Sequence, residues 1–439
     1  MRRVCCLVSL AFMLTFPGLA GAQDEAEVQP PGAPTKDKPD LGSAPNQTAG
    51  EFTPAKGFDI VKTDLGSLNI SFYGLARYLD QLPASQDFVD HLGRTRGVDA
   101  RNDINWQRTM IWFSGFALNP RLVYVLTVWS LPATQQTLAF GNLQFKVADG
   151  LTIGAGIGPT LTARSMTGSH PFWAGSDRQM GEEFFRGGFS SGAWLRGEPL
   201  PGLFYWLSVN TNLSQLGVVA ANDSRFFSYS GSLWWEPTTG EFGLRGGLAD
   251  FEEHDHLATR FGTSMGHARE NRAADLTASP NATQLRLSDG VLLFETGSLA
   301  PGVTVEYANY DILAYDVGLK YRGWSFQGEY YLRWLSHFDA TGPLPMSSIF
   351  DTGFMAETMY MFIPRYLGVY VSGTYIWDAF QRHPWEGCAG ASYFPFATRS
   401  FRLNLHTIYV HKSPTGSTFG YYAAGQTGEI LSLGADVLF

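Results

Sequence analysis

The chain has little charge and less cysteine: Asp, Glu, Lys and Arg make up 16% of its 439 residues, and cysteine occurs only at Cys5, Cys6 and Cys388. Cys5 and Cys6 fall in an apolar run over residues 4–16, behind Arg2 and Arg3 and ahead of the small residues Ala20, Gly21 and Ala22. A positive start, an apolar stretch and small residues at a cleavage point predict a secretory signal peptide over residues 1–22. Both cysteines lie inside the apolar run rather than just behind it, so no lipoprotein anchor is expected. Once the signal is lost Cys388 has no partner, which excludes a disulfide framework.

Long hydrophobic runs are also missing. After residue 22 no stretch approaches 18 uninterrupted apolar residues, so no transmembrane helix is expected. Excess positive charge is lacking too: 40 acidic residues stand against 31 Lys and Arg, a net charge of −9 that deepens once Arg2 and Arg3 leave. Nucleic acid is therefore not an expected partner.

What is abundant is aromatic side chain, 14% of the sequence, and glycine, 49 residues. Only helices and closed barrels satisfy their backbone hydrogen bonds within a bilayer. An exported, aromatic-rich chain without apolar helices is therefore expected to be an all-β, transmembrane antiparallel β-barrel. Residues 23–65, which include "QPPGAPTKDKPDLGSAPNQTAG", carry no apolar period and read as a disordered Pro/Ala-rich periplasmic segment. The barrel is assigned to residues 66–439.

Two-residue alternation predicts strands at 68–78, 104–118, 121–131, 137–147, 151–161, 188–196, 203–211 and 225–235. It predicts eight more at 257–267, 311–321, 324–335, 351–362, 367–377, 388–394, 401–411 and 428–439. Six short connections, at 119–121, 148–150, 197–202, 322–324, 363–366 and 395–400, all fall on the side expected for periplasmic turns. The long turn 236–256 leaves room for another strand at 242–248, which would force a second and raise sixteen strands to eighteen.

The strongest alternations assign faces. Leu313, Tyr315, Val317, Leu319 and Tyr321 are expected to meet outer-membrane lipid, with Asp316 and Lys320 inside. In the next strand Trp324 and Trp334 point outward near opposite ends, as interfacial aromatic girdles require. The same parity puts Arg77, Lys146, Arg196, Arg260, Lys320, Arg333 and Arg402 on the inner wall, against Asp316, Glu329, Glu357 and Asp436. A cation-rich wall favours anions. Gly154, Gly156 and Gly158 bare one inner face, and the long segment 162–187 is expected to fold inward against them as a constriction. Its Arg164, Arg178 and Arg186 are expected anion contacts, held by Asp177, Glu182 and Glu183.

Other motifs carry little. "GTSMG" over 262–266 fits a nucleophile-elbow pattern, but its Gly262, Ser264 and Gly266 share one strand face where no strained strand-to-helix turn presents the serine. "FEEHDH" over 251–256 offers histidines and carboxylates for a metal, yet reads as a solvated turn. Neither an enzymatic activity nor a cofactor is expected.

The pieces "GSLNISFYGLARYLDQLP", "RQMGEEFFRGGFSSGAWLRGEPLPGLFYWLSVNTNLSQLG" and "STFGYYAAGQTG" resemble Gram-negative porins of the phosphate-selective O/P group and their relatives, from about Gly66 to Phe439. The resemblance implies a sixteen-stranded, homotrimeric, anion-conducting channel of the Gram-negative outer membrane, with phosphate passed along basic residues of the wall and an inward-folded loop. Here the loop's cations are arginines, with three acids beside them. Phe439 resembles the terminal aromatic by which barrel assembly machinery recognises its clients. The expected function is passive diffusion of small polar or anionic solutes, phosphate among them. The competing expectation is a non-conducting, adhesin-like surface barrel using the loop 268–310.

Overall fold

The structure, a computed structural model, describes residues 57–131, 136–148, 150–167, 173–213, 226–238, 249–271, 285–416 and 420–439. The expected signal peptide, residues 23–56 of the segment 23–65 and the extra strand at 242–248 lie outside the described residues.

The chain forms β1 (Phe58–Lys62), β2 (Ser67–Gln81), a small hairpin of β3 (Asp87–Val89) and β4 (Thr95–Gly97), then β5 (Asn102–Ala117) and β6 (Asn119–Leu131). Next come β7 (Gln136–Ala148), β8 (Leu151–Pro159), β9 (Phe189–Leu200), β10 (Leu203–Asn210) and β11 (Ser228–Trp235). The remainder are β12 (Ala258–Asn271), β13 (Val305–Tyr321), β14 (Trp324–Ala340), β15 (Ser348–Ile363), β16 (Leu367–Trp377), β17 (Trp385–Tyr393), β18 (Phe401–His411) and β19 (Gly428–Leu438). Apart from β1, β3 and β4, each strand pairs antiparallel with the next, and β19 pairs with β2. The result is the closed sixteen-stranded barrel that the alternation predicts. Closure leaves no unpaired edge for lipid to face.

Alternation decides what each side meets. On β13 and β14, Asp316, Lys320, Glu329 and Arg333 are buried inside while Tyr315, Tyr321, Trp324, Tyr330 and Trp334 are exposed outside. Trp324 and Trp334 stand ten positions apart on one strand. That is about 34 Å along it, and at a tilt of about 40° roughly 26 Å along the membrane normal, matching an apolar band of about 25 Å. Between β13 and β14, Arg322 (φ 47°) and Gly323 (φ 81°) form a two-residue hairpin turn whose left-handed pair suits the strand twist. All six expected short connections join consecutive strands.

Two details depart from expectation. The segment expected to be disordered through residue 65 contains a strand, because β1 pairs with the start of β2 through Phe58↔Ile70 and Lys62↔Ser67. Five residues carry too short an alternation to register in composition. Strand β5 changes parity midway: Arg108 pairs opposite Leu75 and Trp106 opposite Ala76, leaving Gln107 as the extra residue of a bulge. A bulge moves every later side chain to the other face. So Asn105 shares the inner face before it, and Arg108, Met110 and Trp112 after it.

Candidate functional site

The long connection between β8 and β9 enters the barrel. Its described residues include a 3-10 turn, Arg164–Thr167, and a short helix, α1 (Met180–Phe185), and every residue of both is buried. A free loop in the lumen would leave its backbone groups unpaired, so the wall supplies their partners. The Arg164 N–H donates to Glu329 Oε1 (2.7 Å) on β14, and the Met180 N–H to Glu386 Oε1 (2.8 Å) on β17. Ser392 Oγ donates to the Ala174 carbonyl (2.8 Å), and Arg402 Nη1 to that of Trp173 (2.5 Å). On β13, beside β14, Tyr310 OH donates to the Phe185 carbonyl (2.6 Å), so a loop that leaves β8 and returns to β9 is held as far away as β17 and β18. The loop therefore spans the lumen from side to side.

One carboxylate ties this loop to the first strands. Asp177 Oδ2 accepts from Arg108 Nη2 at 2.6 Å and from Arg77 Nη1 at 3.4 Å. Arg77 also donates to the Gly420 carbonyl (2.8 Å), so a third connection, between β18 and β19, is drawn into the same cluster. Beside it the Arg178 guanidinium lies 4.6 Å from the Trp173 ring.

The expected site residues distribute as follows. Arg77, Arg260, Lys320, Arg333 and Arg402 lie on the inner wall, each no more than 5% exposed. Arg164 and Arg178 are buried in the loop, and Arg186 pairs with its neighbour Glu183 (3.0 Å). Arg196 donates to Gln144 Oε1 (2.7 Å) and stacks over Trp206. Lys146, on the face that carries Asn142 and Gln144, is exposed near the end of β7. Most wall cations are matched by acids: Arg260 with Asp316 (2.7 Å), Arg333 with Asp351 (2.6 Å) and Arg402 with Asp436 (2.7 Å).

Sequence reasoning missed three charged groups here. Arg108 was hidden by the bulge. Asp351 sits on the inner face of β15, in register with Glu357 by the same two-residue period, which did signal it. Glu386 precedes the expected start of its strand at residue 388, because Gly387 and Gly390 blur the alternation of β17.

The glycine patch also has a different occupant from the one expected. A Cβ on Gly154 would lie 2.2 Å from the Trp194 ring, and one on Gly158 would lie 2.9 Å from it. The bare strip on β8 therefore seats the indole of neighbouring β9 rather than the constriction loop. Trp194 packs there with Leu161, Trp206 and Trp234. Ser264 of the "GTSMG" pattern simply shares a hydrogen bond with Ser232 (2.8 Å). In "FEEHDH", His254 pairs with Asp250, whose carboxyl is drawn below its ordinary value despite burial by the His254 ring and backbone N–H groups. No three His, Cys, Asp or Glu side chains converge as a metal cluster among the described residues.

At the outer mouth, the segment between β12 and β13 packs inward through Leu287, Leu293, Phe294 and Leu299, all fully buried. His91 meets Asp289 at 2.6 Å, and Arg96 meets Glu295 at 3.0 Å, joining this segment to the connection between β2 and β5.

No family model matches the chain, and no curated protein matches it in sequence. Among solved structures, the outer membrane channel DcaP of Acinetobacter baumannii is similar at 8% identity and a TM-score of 0.51, over 87% of this chain and 99% of that one. The anion-selective porin from Comamonas acidovorans aligns at 11% identity and a TM-score of 0.47, over 85% and 100%. OmpT of Vibrio cholerae aligns at 11% and 0.49, over 87% and 100%. At such identities the likeness is one of fold.

Proposed function

We propose that the chain is a porin of the Gram-negative outer membrane, a passive diffusion channel for small polar or anionic solutes with phosphate as a candidate anion. The observation that carries this reading is the 160–188 connection, fixed across the lumen by Asp177, Glu329 and Glu386. A loop held there by the wall's charged groups narrows the barrel interior and brings guanidinium groups next to whatever passes. Arg77, Arg108, Arg178 and Arg402 offer donors that replace part of an anion's hydration, and no energy source is needed. Their carboxylate partners make the selectivity modest.

The homotrimer implied by the resemblance is part of this proposal, and the short wall of the barrel supports it. Strands β10 and β11 are eight residues each, against seventeen in β13 and β14. On this short wall an apolar hollow of about 970 Å³ opens outward among Ala193, Leu207, Val209, Gly231 and Leu233.

The test is conductance and reversal potential of the purified protein in a planar bilayer under a KCl gradient, then with phosphate added. An anion-selective current that phosphate reduces supports the whole reading. Cation selectivity overturns the anion part. A second reading, a non-conducting surface barrel, is favoured by one observation: Arg77, Lys320 and Arg333 are 2%, 0% and 1% exposed, so little water reaches the wall. Absence of current would establish it over the first.

A further inference from the structure

The outer mouth holds a second site. A cavity of about 430 Å³ opens there, between the β3–β4 hairpin, the segment before β13 and the connection between β18 and β19. Small-molecule sites typically measure roughly 300–1,000 Å³. Its charged lining is Arg96, Arg101 and Arg286 with Asp99 and Glu295. Its apolar lining includes Phe88, Val291 and the ring of Tyr422.

The three guanidiniums are not equivalent. Arg96 is engaged by Asp90 (2.9 Å) and Glu295 (3.0 Å), and Arg101 by Asp103 (2.8 Å). Arg286 instead donates to two carbonyls, Gly290 O at 2.6 Å and Gly416 O at 3.3 Å. Among the described residues no carboxylate lies in ion-pair contact with it. Carbonyls orient a guanidinium but do not neutralise it, and an under-compensated cation in a confined space favours an anionic guest. Burial pushes the Arg286 pKa down to about 10, with Glu295 opposing, so the side chain stays charged at neutral pH.

The apolar half of the cavity defines the rest of the guest. Tyr422 OH is committed to Glu386 (2.6 Å), so what Tyr422 has left to offer a guest in this lining is its ring. We propose that this cavity binds a small carboxylate carrying an aromatic ring, the carboxylate on Arg286 and the ring against Phe88 and Tyr422. The site leads inward: the Arg286 carbonyl accepts from Arg333 Nη2 (3.2 Å), and Arg333 lies 3.9 Å above the Phe184 ring of the constriction loop. As an entry station the site rests on the channel reading, whereas its binding chemistry does not.

The test titrates the full-length protein in detergent with benzoate, acetate and benzyl alcohol by calorimetry. Benzoate is expected to bind saturably, acetate about tenfold more weakly, and benzyl alcohol without saturation. Arg286→Gln is expected to weaken benzoate about tenfold, the loss of one charge-assisted contact, and Phe88→Ala to weaken it less. Heat-modifiable migration on gels shows that each variant is folded. Benzoate binding unchanged in folded Arg286→Gln, or benzyl alcohol binding as tightly as benzoate, overturns the proposal. Conductance in KCl reads the channel separately: a conducting barrel that ignores benzoate refutes this site alone, and a benzoate-binding barrel without current refutes the channel alone.

Discussion

Phe58 and Phe439 lie ring to ring, 5.3 Å between centroids, where two different strands share the same edge of β2. Phe439 exchanges both backbone hydrogen bonds with Phe72, at 2.9 and 3.0 Å, and its ring also stacks on that of Phe72 at 5.3 Å. Below that point β1 takes over the edge, starting at Ile70. Phe439 thus fills the junction that β19 and β1 leave between them.

Two substitutions separate packing from recognition at this junction. Phe58→Ala removes one ring pair, worth about 0.5–1.5 kcal/mol, and is expected to lower the unfolding temperature slightly with a normal yield in the membrane. A recognition role for Phe439 predicts that Phe439→Ala reduces the yield of heat-modifiable barrel sharply. Equal, small effects of both would refute a recognition role for Phe439.

Asp177 bridges Arg77 and Arg108 and offsets one of their two charges, so its loss acts on both charge and position. Breaking one partner out of a buried ion pair costs about 3–5 kcal/mol, enough to release the loop from the β2–β5 wall. Asp177→Asn is expected to raise conductance and to move the reversal potential further toward anions. A shift toward cations would contradict the placement of these arginines beside the solute path.

Gly154 is a test of the indole seat. An added methyl would meet the Trp194 ring well inside contact distance, so Gly154→Ala is expected to destabilise the barrel by about 1–3 kcal/mol, read as a lower unfolding temperature. Adding Trp194→Ala is expected to recover part of that loss. Failure of the double variant to recover any would mean that the clash is not with Trp194.

Acid is expected to loosen the mouth. Asp90 is held at about 2 because hydrogen bonds from the Arg94 backbone, Arg96 and Arg94 overcome the upward push of burial. Asp289 is likewise drawn down against burial, by His91. A depressed carboxylate stabilises the fold above its unfolded pKa, about 3.9 for aspartate, and that contribution disappears as pH falls through the folded value. Proteolytic cleavage of the 82–101 connection is therefore expected to rise between about pH 4 and about pH 2. Asp90→Asn should show the raised cleavage already at neutral pH.

The strands were legible because a barrel wall has one fixed period and two chemically opposite faces, so Leu313 to Tyr321 and Trp324 to Trp334 could be sorted by parity alone. The interior was less legible because local irregularity and long-range pairing decide it. One bulged residue, Gln107, reversed the faces of β5 and concealed Arg108. Nothing local in the sequence pairs Asp177 with a residue 100 positions away. The glycines of β8 did announce a close approach, but the partner that came was a ring from the next strand, which alternation places inside without saying where it lies.

The unequal height of the wall makes the barrel a lopsided body for a bilayer. At about 3.4 Å per residue, β10 and β11 extend only about 27 Å along their axes while β13 and β14 extend about 58 Å. Lipid must thin beside the short side, and each ångström of such mismatch costs a fraction of a kcal/mol. Bringing short sides of neighbouring copies together removes that deformed annulus of lipid. Association of this chain would then be driven by the elasticity of the membrane as much as by side-chain fit, and it should weaken when the surrounding lipids are made shorter.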